Sequence, residues 1–290
     1  MSGWLPTAPC TPAHCVTPAG PAVGVPRAVA RLTAVVALVA AGAALVPLAR
    51  WIPERRTRRW CRAVVRAAGV RTRLTGGPAV TGGALLVANH VSWLDVPLLG
   101  AVRPARMLAK REIRAWPVAG RIAEAAGVLF IERDRLRALP DTVARITGAL
   151  RRGAAVGVFP EGSTWCGRSG GTFHRAAFQA ALDAGVPVQP VRVRYLAAAG
   201  AVSTAPAFVG EDTLLASMWR VARTGGLTAE VHVCPPLPPG RYPDRRALAA
   251  AAEAAVRGAA ATGGVTADAG ARRPEVPCAA GALATAEVPG

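Results

Sequence analysis

The residues best suited to chemistry begin with a histidine and an aspartate five positions apart. An apolar run, Ala84–Ala88, is typical of a buried strand and leads directly into Asn89, His90 and then Asp95. A loop or opening helical turn at this spacing can fold the carboxylate onto one imidazole nitrogen, leaving the other to take a proton from a hydroxyl. Alternatively, Asn89 and Asp95 only cap a helix and His90 is a bystander.

Three later strand candidates also end in polar residues, namely Lys110, Arg133, and the turn formed by Glu161, Gly162 and Ser163. Reactive groups of open α/β sheets collect beyond the carboxyl ends of strands, so these residues are expected on the same rim as His90. The planar fork of Arg133 suits a phosphate, although a solvated strand-end charge is the alternative. A further apolar stretch, 186–194, contains Pro187 and Pro190, which predict an edge strand or a bulge.

The elements that must position these residues alternate along the chain. Predicted strands cover 84–88, 106–109, 128–131, 155–159, 186–194 and 230–234, and predicted helices cover 96–102, 118–126, 136–151, 175–184, 213–222 and 245–257. This alternation predicts an α/β domain over residues 69–261, with a mixed, mostly parallel sheet flanked by helices. Residues 1–26 and 262–290 are rich in Pro, Ala and Gly, and they are predicted to be disordered tails.

Residues 27–68 are predicted to anchor the protein to a membrane. Residues 32–49 form an uncharged apolar run of 18 residues, near the lower limit for crossing a bilayer, so it either spans the membrane or enters one leaflet. A signal peptide and a buried core helix are the alternatives. An Arg cluster and two Trp residues directly follow the run, which predicts that its C-terminal side, and the folded domain, face the cytoplasm at the cell membrane.

Charge and cysteine content narrow the possible partners. The chain has 35 basic and 17 acidic residues, a net charge of +18, which favours acidic partners such as nucleic acid, anionic lipids or anionic metabolites. A non-enzymatic binder of membranes or nucleic acid is one alternative, but the Arg residues are scattered and no aromatic–basic stacking motif is present. The six cysteines lack zinc-knuckle spacing.

The cysteines raise two other possibilities. Cys10, His14 and Cys15 offer three metal ligands, fewer than the four of a structural zinc site, so we expect no metal and free thiols in a reducing compartment. Cys166 precedes His174 by eight positions, and the pair is an alternative nucleophile and base.

Four blocks together resemble the glycerolipid acyltransferases of the 1-acyl-sn-glycerol-3-phosphate acyltransferase type. They are residues 89–95, 127–133, 159–163 and 186–190, in the family's order and spacing, and the resemblance covers roughly residues 70–195. Departures are small: Ser163 stands where Thr is usual, and Glu132 where Asp is common. The resemblance implies the glycerolipid acyltransferase fold.

The resemblance also implies roles. His90 would be the general base and Asp95 would orient it, while Lys110 and Arg133 would bind the acceptor phosphate. Glu161, Gly162 and Ser163 would form the acceptor site, and Pro187 and Pro190 an acyl-side wall.

The implied reaction is O-acyl transfer from acyl-CoA or acyl-carrier protein to 1-acyl-sn-glycerol-3-phosphate, giving phosphatidic acid. It needs neither metal nor cofactor, and no nucleic acid. The alternative acceptor is another lysolipid, such as a lyso-ornithine lipid.

Overall fold

A seven-stranded sheet runs through the protein and determines where each polar strand end lies. The computed structural model describes residues 8–17, 20–115, 119–132 and 136–258. Its strands are β1 (Arg71–Gly76), β2 (Ala84–Ala88), β3 (Arg106–Lys110), β4 (Leu129–Ile131), β5 (Ala155–Val158), β6 (Val188–Leu196) and β7 (Thr228–Val233). They lie in the order β1-β7-β6-β2-β5-β3-β4. Every neighbouring pair is parallel except β6 and β7, which are antiparallel.

The central strands are apolar because helices cover both of their faces. All residues of β2 and β5 are buried, as expected for parallel strands in the middle of an α/β sheet. The helices in the described ranges are α1 (Pro12–Cys15), α2 (Val25–Leu45), α3 (Glu54–Ala67), α4 (Asp95–Val102), α5 (Ala119–Ala125), α6 (Leu139–Arg151), α7 (Ala176–Ala184), α8 (Leu214–Arg223) and α9 (Arg245–Gly258). The predicted fold class, a mixed and mostly parallel sheet flanked by helices, is confirmed.

Two hydrophobic cores separate the helices into layers. On one side of the sheet, Val65 of α3, Leu98 of α4 and Val221 of α8 belong to a core shared with β2 and β6. On the other side, Phe178 of α7 and Leu248 of α9 pack with β2 and β5. Burial of these side chains, at about 25 cal/mol per Å² of apolar surface, holds the sheet between its two layers.

The strand that contains Pro190 is not at an edge of the sheet. Pro187 and Pro190 predicted an edge strand or a bulge, and the edge strand is wrong. β6 lies between β2 and β7. Val188 bridges Leu237, and Val191 pairs with Val233. These two pairs are three residues apart on β6 and four residues apart on the segment opposite, which continues from β7. The segment after β7 therefore forms a bulge beside Pro190. Because the ladder is already irregular there, the N–H that Pro190 lacks removes no regular hydrogen bond.

The N-terminal segment is folded in the described ranges, which corrects the predicted disordered tail for residues 8–17 and 20–26. Thr11 caps α1 with its side-chain oxygen, and both Cys10 and Cys15 are buried in the core. Thr17 donates its backbone N–H to Thr204 Oγ1 at 2.9 Å. These contacts stabilise a segment whose proline content alone suggested disorder. Residues 1–7, 18–19 and 259–290, which include the predicted tail over 262–290, lie outside the described residues.

The apolar run of the sequence forms most of α2. Residues Val25–Ala49 are long and apolar enough to cross a membrane, and only 6% of the most apolar window is buried. This exposure disfavours a core helix. One side of α2 nevertheless docks on the domain through Ala28 and Val35, and Arg31 Nη1 donates to the Ala222 carbonyl at 2.8 Å.

Helices α2 and α3 pack closely at one glycine. The Trp60 indole N–H donates to the Leu38 carbonyl at 3.0 Å. A Cβ added at Gly42 would lie 2.4 Å from Trp60 Cζ2, so the ring occupies the space that any other side chain at position 42 would need. Trp60 therefore packs between helices, while Trp51 is exposed.

Candidate active site

The parallel strands bring the polar strand ends of the described residues to one edge of the sheet. His90 follows β2 and Glu161 follows β5, the strand beside it. Lys110 ends β3 on the far side of β5, and the strand registers place it level with Asn89, roughly 10 Å away across two strand spacings. Arg133, the predicted phosphate ligand, lies outside the described residues.

His90 and Asp95 form a hydrogen-bonded dyad. His90 Nδ1 lies 2.8 Å from Asp95 Oδ2, and the side chains are 22% and 0% exposed. Asp95 is also the first residue of α4, and its Oδ2 accepts the backbone N–H groups of Val91 and Ser92 at 2.6 and 2.8 Å. The carboxylate thus holds the loop that precedes α4 and orients the imidazole. It does not cap the helix, because the N-cap residue is Leu94 and no side chain makes a capping bond there, so the helix-cap alternative does not describe Asp95. With Nδ1 engaged, Nε2 is the nitrogen left to accept a proton.

Tyr195 completes the support of Asp95, and sequence reasoning missed it. Its hydroxyl donates to Asp95 Oδ1 at 2.6 Å. Burial, together with the neighbouring Asp95 charge, raises the pKa of Tyr195 well above its usual value, so the phenol stays protonated and keeps donating. Both oxygens of the buried carboxylate therefore have donors.

The imidazole ring has a fixed plane as well as a fixed hydrogen bond. Phe159, the residue after β5, stacks on it with ring centroids 4.0 Å apart and an interplanar angle of 9°. The His90 carbonyl accepts the backbone N–H of Trp165 at 2.8 Å. Ring stacking and backbone pairing together leave His90 little rotational freedom.

The Glu161 side chain is buried and binds backbone N–H groups of the active-site loops. The side chain is 4% exposed, and its oxygens accept the backbone N–H groups of His90 at 2.7 Å and Gly171 at 3.1 Å. Burial raises the pKa of Glu161 to about 8, despite these two donors. Gly162 has φ +75° and donates to the Phe159 carbonyl at 3.1 Å, a turn that favours glycine. Glu161 therefore positions His90.

Asn89 anchors the same loop to the sheet. Its Nδ2 donates to the Val193 carbonyl at 2.9 Å, and its Oδ1 accepts the Val193 N–H at 2.8 Å. This pair of bonds continues the β2–β6 ladder by one residue with a side chain in place of backbone.

The remaining predicted residues differ in their position relative to His90. Lys110 is exposed at the rim, and no ion-pair partner for it is found in the described part of the chain. Ser163 Oγ is buried and has no hydrogen-bond partner among the described residues. Pro190 is buried in mid-sheet. Pro187 precedes β6 at the edge opposite His90, where its carbonyl accepts the Leu85 N–H, so the structure does not bring Pro187 to the dyad.

Two other features lie apart from this chemistry. Cys166 is fully buried while His174 is exposed, which leaves the thiol poorly placed for attack on a substrate. A cavity of about 140 Å³ lies between α7, α9 and the 237–240 loop, on the opposite face of the sheet from α4, and His90 does not line it.

Comparison with known proteins assigns this arrangement to a family. The family model described as Acyltransferase matches residues 64–194. A lyso-ornithine lipid O-acyltransferase from Pseudomonas aeruginosa is 40% identical over 238 residues, covering 79% of this chain and 90% of that protein. A 1-acyl-sn-glycerol-3-phosphate acyltransferase from Neisseria gonorrhoeae is 36% identical over 182 residues, covering 62% and 70%.

A solved structure has the same fold. The crystal structure of the 1-acyl-sn-glycerophosphate acyltransferase PlsC from Thermotoga maritima matches with a TM-score of 0.54 at 20% identity, over 83% of this chain and all of that one. At this identity the match speaks for the fold alone. The family and the type of activity follow from the similar sequences and the family model: the chain belongs to the PlsC-like glycerolipid acyltransferase family and is an O-acyltransferase.

Proposed function

We propose that the protein acylates the free hydroxyl of 1-acyl-sn-glycerol-3-phosphate, using an acyl thioester and giving phosphatidic acid. The observation that carries this proposal is the 2.8 Å contact between His90 Nδ1 and the buried Asp95 carboxylate. A histidine held in this way presents one basic nitrogen at a sheet edge that is lined with polar and cationic residues.

The reaction follows from the dyad. His90 Nε2 takes the proton of the acceptor hydroxyl as its oxygen attacks the thioester carbonyl carbon, and Asp95 stabilises the imidazolium that forms. The tetrahedral intermediate then collapses with cleavage of the C–S bond. The departing thiolate takes the proton from the imidazolium, so the products are the new ester and a free thiol, and His90 is neutral again.

The cationic rim supports an anionic acceptor. Lys110 is level with the start of the His90 loop, and Arg133 comes two residues after the end of β4 in the sequence. Arg111 is paired with Glu132 and Arg114 with Glu124, so Lys110 and Arg133 are the cations we assign to the phosphate. The buried Ser163 Oγ offers one more polar contact beside the Glu161 turn.

A lyso-ornithine lipid is the second candidate acceptor. The Pseudomonas aeruginosa relative that carries this name shares 40% identity over nine-tenths of its own length. An amino-acid headgroup has a carboxylate that the same cations could bind, but it also has an ammonium group. Removing Lys110 should therefore weaken the binding of a phosphate acceptor more than the binding of a lyso-ornithine lipid. The loss for the phosphate acceptor is about 1.5–3 kcal/mol, as for one charged hydrogen bond.

Membrane attachment on the cytoplasmic face belongs to the same proposal. The outer face of α2 exposes an apolar stripe that includes Val25, Val29, Val36 and Val39. Helix α3 beside it exposes a basic stripe of Arg55, Arg59, Arg62 and Arg66. Apolar and cationic faces next to each other suit an anionic leaflet, and they keep the domain at the headgroup plane where a lysolipid is found.

The test compares His90→Ala with His232→Ala. His232 lies on β7 and bonds to Thr75, away from the dyad. Each protein is incubated with a panel of lysolipids and with both acyl-CoA and acyl-carrier-protein donors, and products are identified by mass spectrometry. We expect phosphatidic acid from the wild type and from His232→Ala, with a loss of at least about 10²-fold in His90→Ala. Undiminished turnover by His90→Ala would exclude the proposed base.

A further inference from the structure

Three thiols from distant parts of the chain meet behind the active-site loop. Cys10 lies two residues before α1, Cys15 is the last residue of α1, and Cys166 follows the turn that carries Glu161. Their Sγ atoms all lie within 4.8 Å of one another. The three side chains are 1%, 3% and 0% exposed, and none is in a disulfide.

The spacing of the sulfurs suits metal coordination. A Zn–S bond of about 2.3 Å places tetrahedral sulfur ligands about 3.8 Å apart, so sulfurs within 4.8 Å need to move by about 1 Å or less. Thr11 caps α1, and this single turn directs Cys10 and Cys15 towards the same point. A disulfide would join only two of the three thiols and leave the third buried beside it.

We propose that Cys10, Cys15 and Cys166 form a three-thiolate site for a thiophilic d¹⁰ cation, either Zn²⁺ or Cu⁺. Each thiol loses its proton on binding, and soft thiolate ligands select these ions. Cu⁺ is satisfied by three sulfurs, whereas Zn²⁺ takes a water or another donor as its fourth ligand. This proposal differs from the sequence-based expectation that the N-terminal cysteines hold no metal, because that expectation counted only ligands near each other in the sequence and the fold adds Cys166.

The site would connect the N-terminal segment to the loop that holds the catalytic histidine. Trp165, the residue before Cys166, donates its backbone N–H to the His90 carbonyl. Thr164 donates to the Phe208 carbonyl, and Phe208 in turn donates to the Val91 carbonyl at 2.9 Å. A cation bound to Cys166 would therefore fix the backbone at His90 and at the next residue, Val91. The metal site itself does not depend on which lysolipid is the acceptor.

Metal content of the purified full-length protein tests the proposal directly. The protein is isolated under reducing, oxygen-free conditions after growth with added zinc or copper, and elemental mass spectrometry counts ions per chain. We expect about one ion per chain in the wild type, and at least a tenfold loss in Cys166→Ala and in Cys15→Ala. Cys61→Ala is the matched control, because Cys61 is a buried thiol of α3 outside the cluster, and it should keep the ion.

Cobalt substitution gives a readout that does not depend on the variants folding. Co²⁺ added to metal-free wild-type protein should produce a near-ultraviolet thiolate-to-cobalt charge-transfer band, which Zn²⁺ or Cu⁺ then abolishes. The proposal is overturned if the wild type holds no more metal than Cys166→Ala, or if Co²⁺ produces no such band. An intact mass two hydrogens low, with two of these cysteines linked, would also overturn it.

Discussion

Replacing Tyr195 with phenylalanine tests whether the proposed catalytic dyad depends on a donor that sequence motifs do not contain. The substitution removes one oxygen atom and leaves the ring in the core. Asp95 Oδ1 then loses its 2.6 Å hydrogen bond in a site where the carboxylate has no exposure. Water cannot readily replace the hydroxyl there, so a buried charge is left with an unsatisfied oxygen.

The size of the effect follows from that single bond. A hydrogen bond to a charged group contributes about 1.5–3 kcal/mol. Lost from the free energy of unfolding, this lowers the melting temperature by about 3–12 °C for a domain of this size. If Asp95 instead relieves the loss by turning away from His90, the same energy appears as a fall of about 10- to 150-fold in the acylation rate.

The assay uses both readouts and a matched control. Tyr242 is the only other tyrosine. It is partly buried and packs against the core on the opposite face of the sheet, so Tyr242→Phe should change neither quantity by a comparable amount. Thermal unfolding and single-turnover acyl transfer are measured on all three proteins. If Tyr195→Phe matched the wild type in both, the idea that Tyr195 holds Asp95 in place would be refuted.

Two further predictions concern stability. Because burial raises the pKa of Glu161 from 4.5 to about 8, the folded state holds a proton that the unfolded chain loses. The free energy of unfolding should therefore contain a contribution that is complete below about pH 4.5 and falls by up to about 1.4 kcal/mol per pH unit until about pH 8. Urea unfolding of Glu161→Gln should lack this part of the slope, and identical slopes in both proteins would contradict the raised pKa. Gly42→Leu should destabilise the packing of α2 on α3 by about 1–3 kcal/mol, since its Cβ would lie 2.4 Å from Trp60. Ala44→Leu, at an exposed position of the same helix, is the control in thermal unfolding, and equal melting temperatures for the two variants would count against that close contact.

Much of the sheet could be predicted because its central strands are short apolar runs that end in polar residues. The predicted run 84–88 coincides with β2, and 155–159 exceeds β5 by one residue. β1 was missed because Arg71–Gly76 is a mostly exposed strand without apolar alternation. Helix α3 was treated as a basic flanking segment, since its Arg residues hid the buried Cys61, Val64 and Val65.

The site was predictable where it is local in the sequence and was missed where it is not. His90 and Asp95 lie on one loop, so their spacing was informative. Tyr195 and Cys166 reach their partners only because β6 lies beside β2 and the loop after β5 meets the N-terminal segment. Contacts that span a hundred residues leave no periodic or spacing signal in a single sequence.

The side-chain amide of Asn89 has one consequence for turnover. It makes the two bonds to Val193 that a backbone amide would make, and a carboxamide carries no titratable proton. In the proposed reaction His90 gains and loses a proton in every catalytic cycle, whereas the Asn89 amide next to it stays electrically neutral throughout. The frame of the active site thus remains the same whether the base beside it is charged or not, and no rearrangement of the sheet edge needs to accompany each round of acyl transfer.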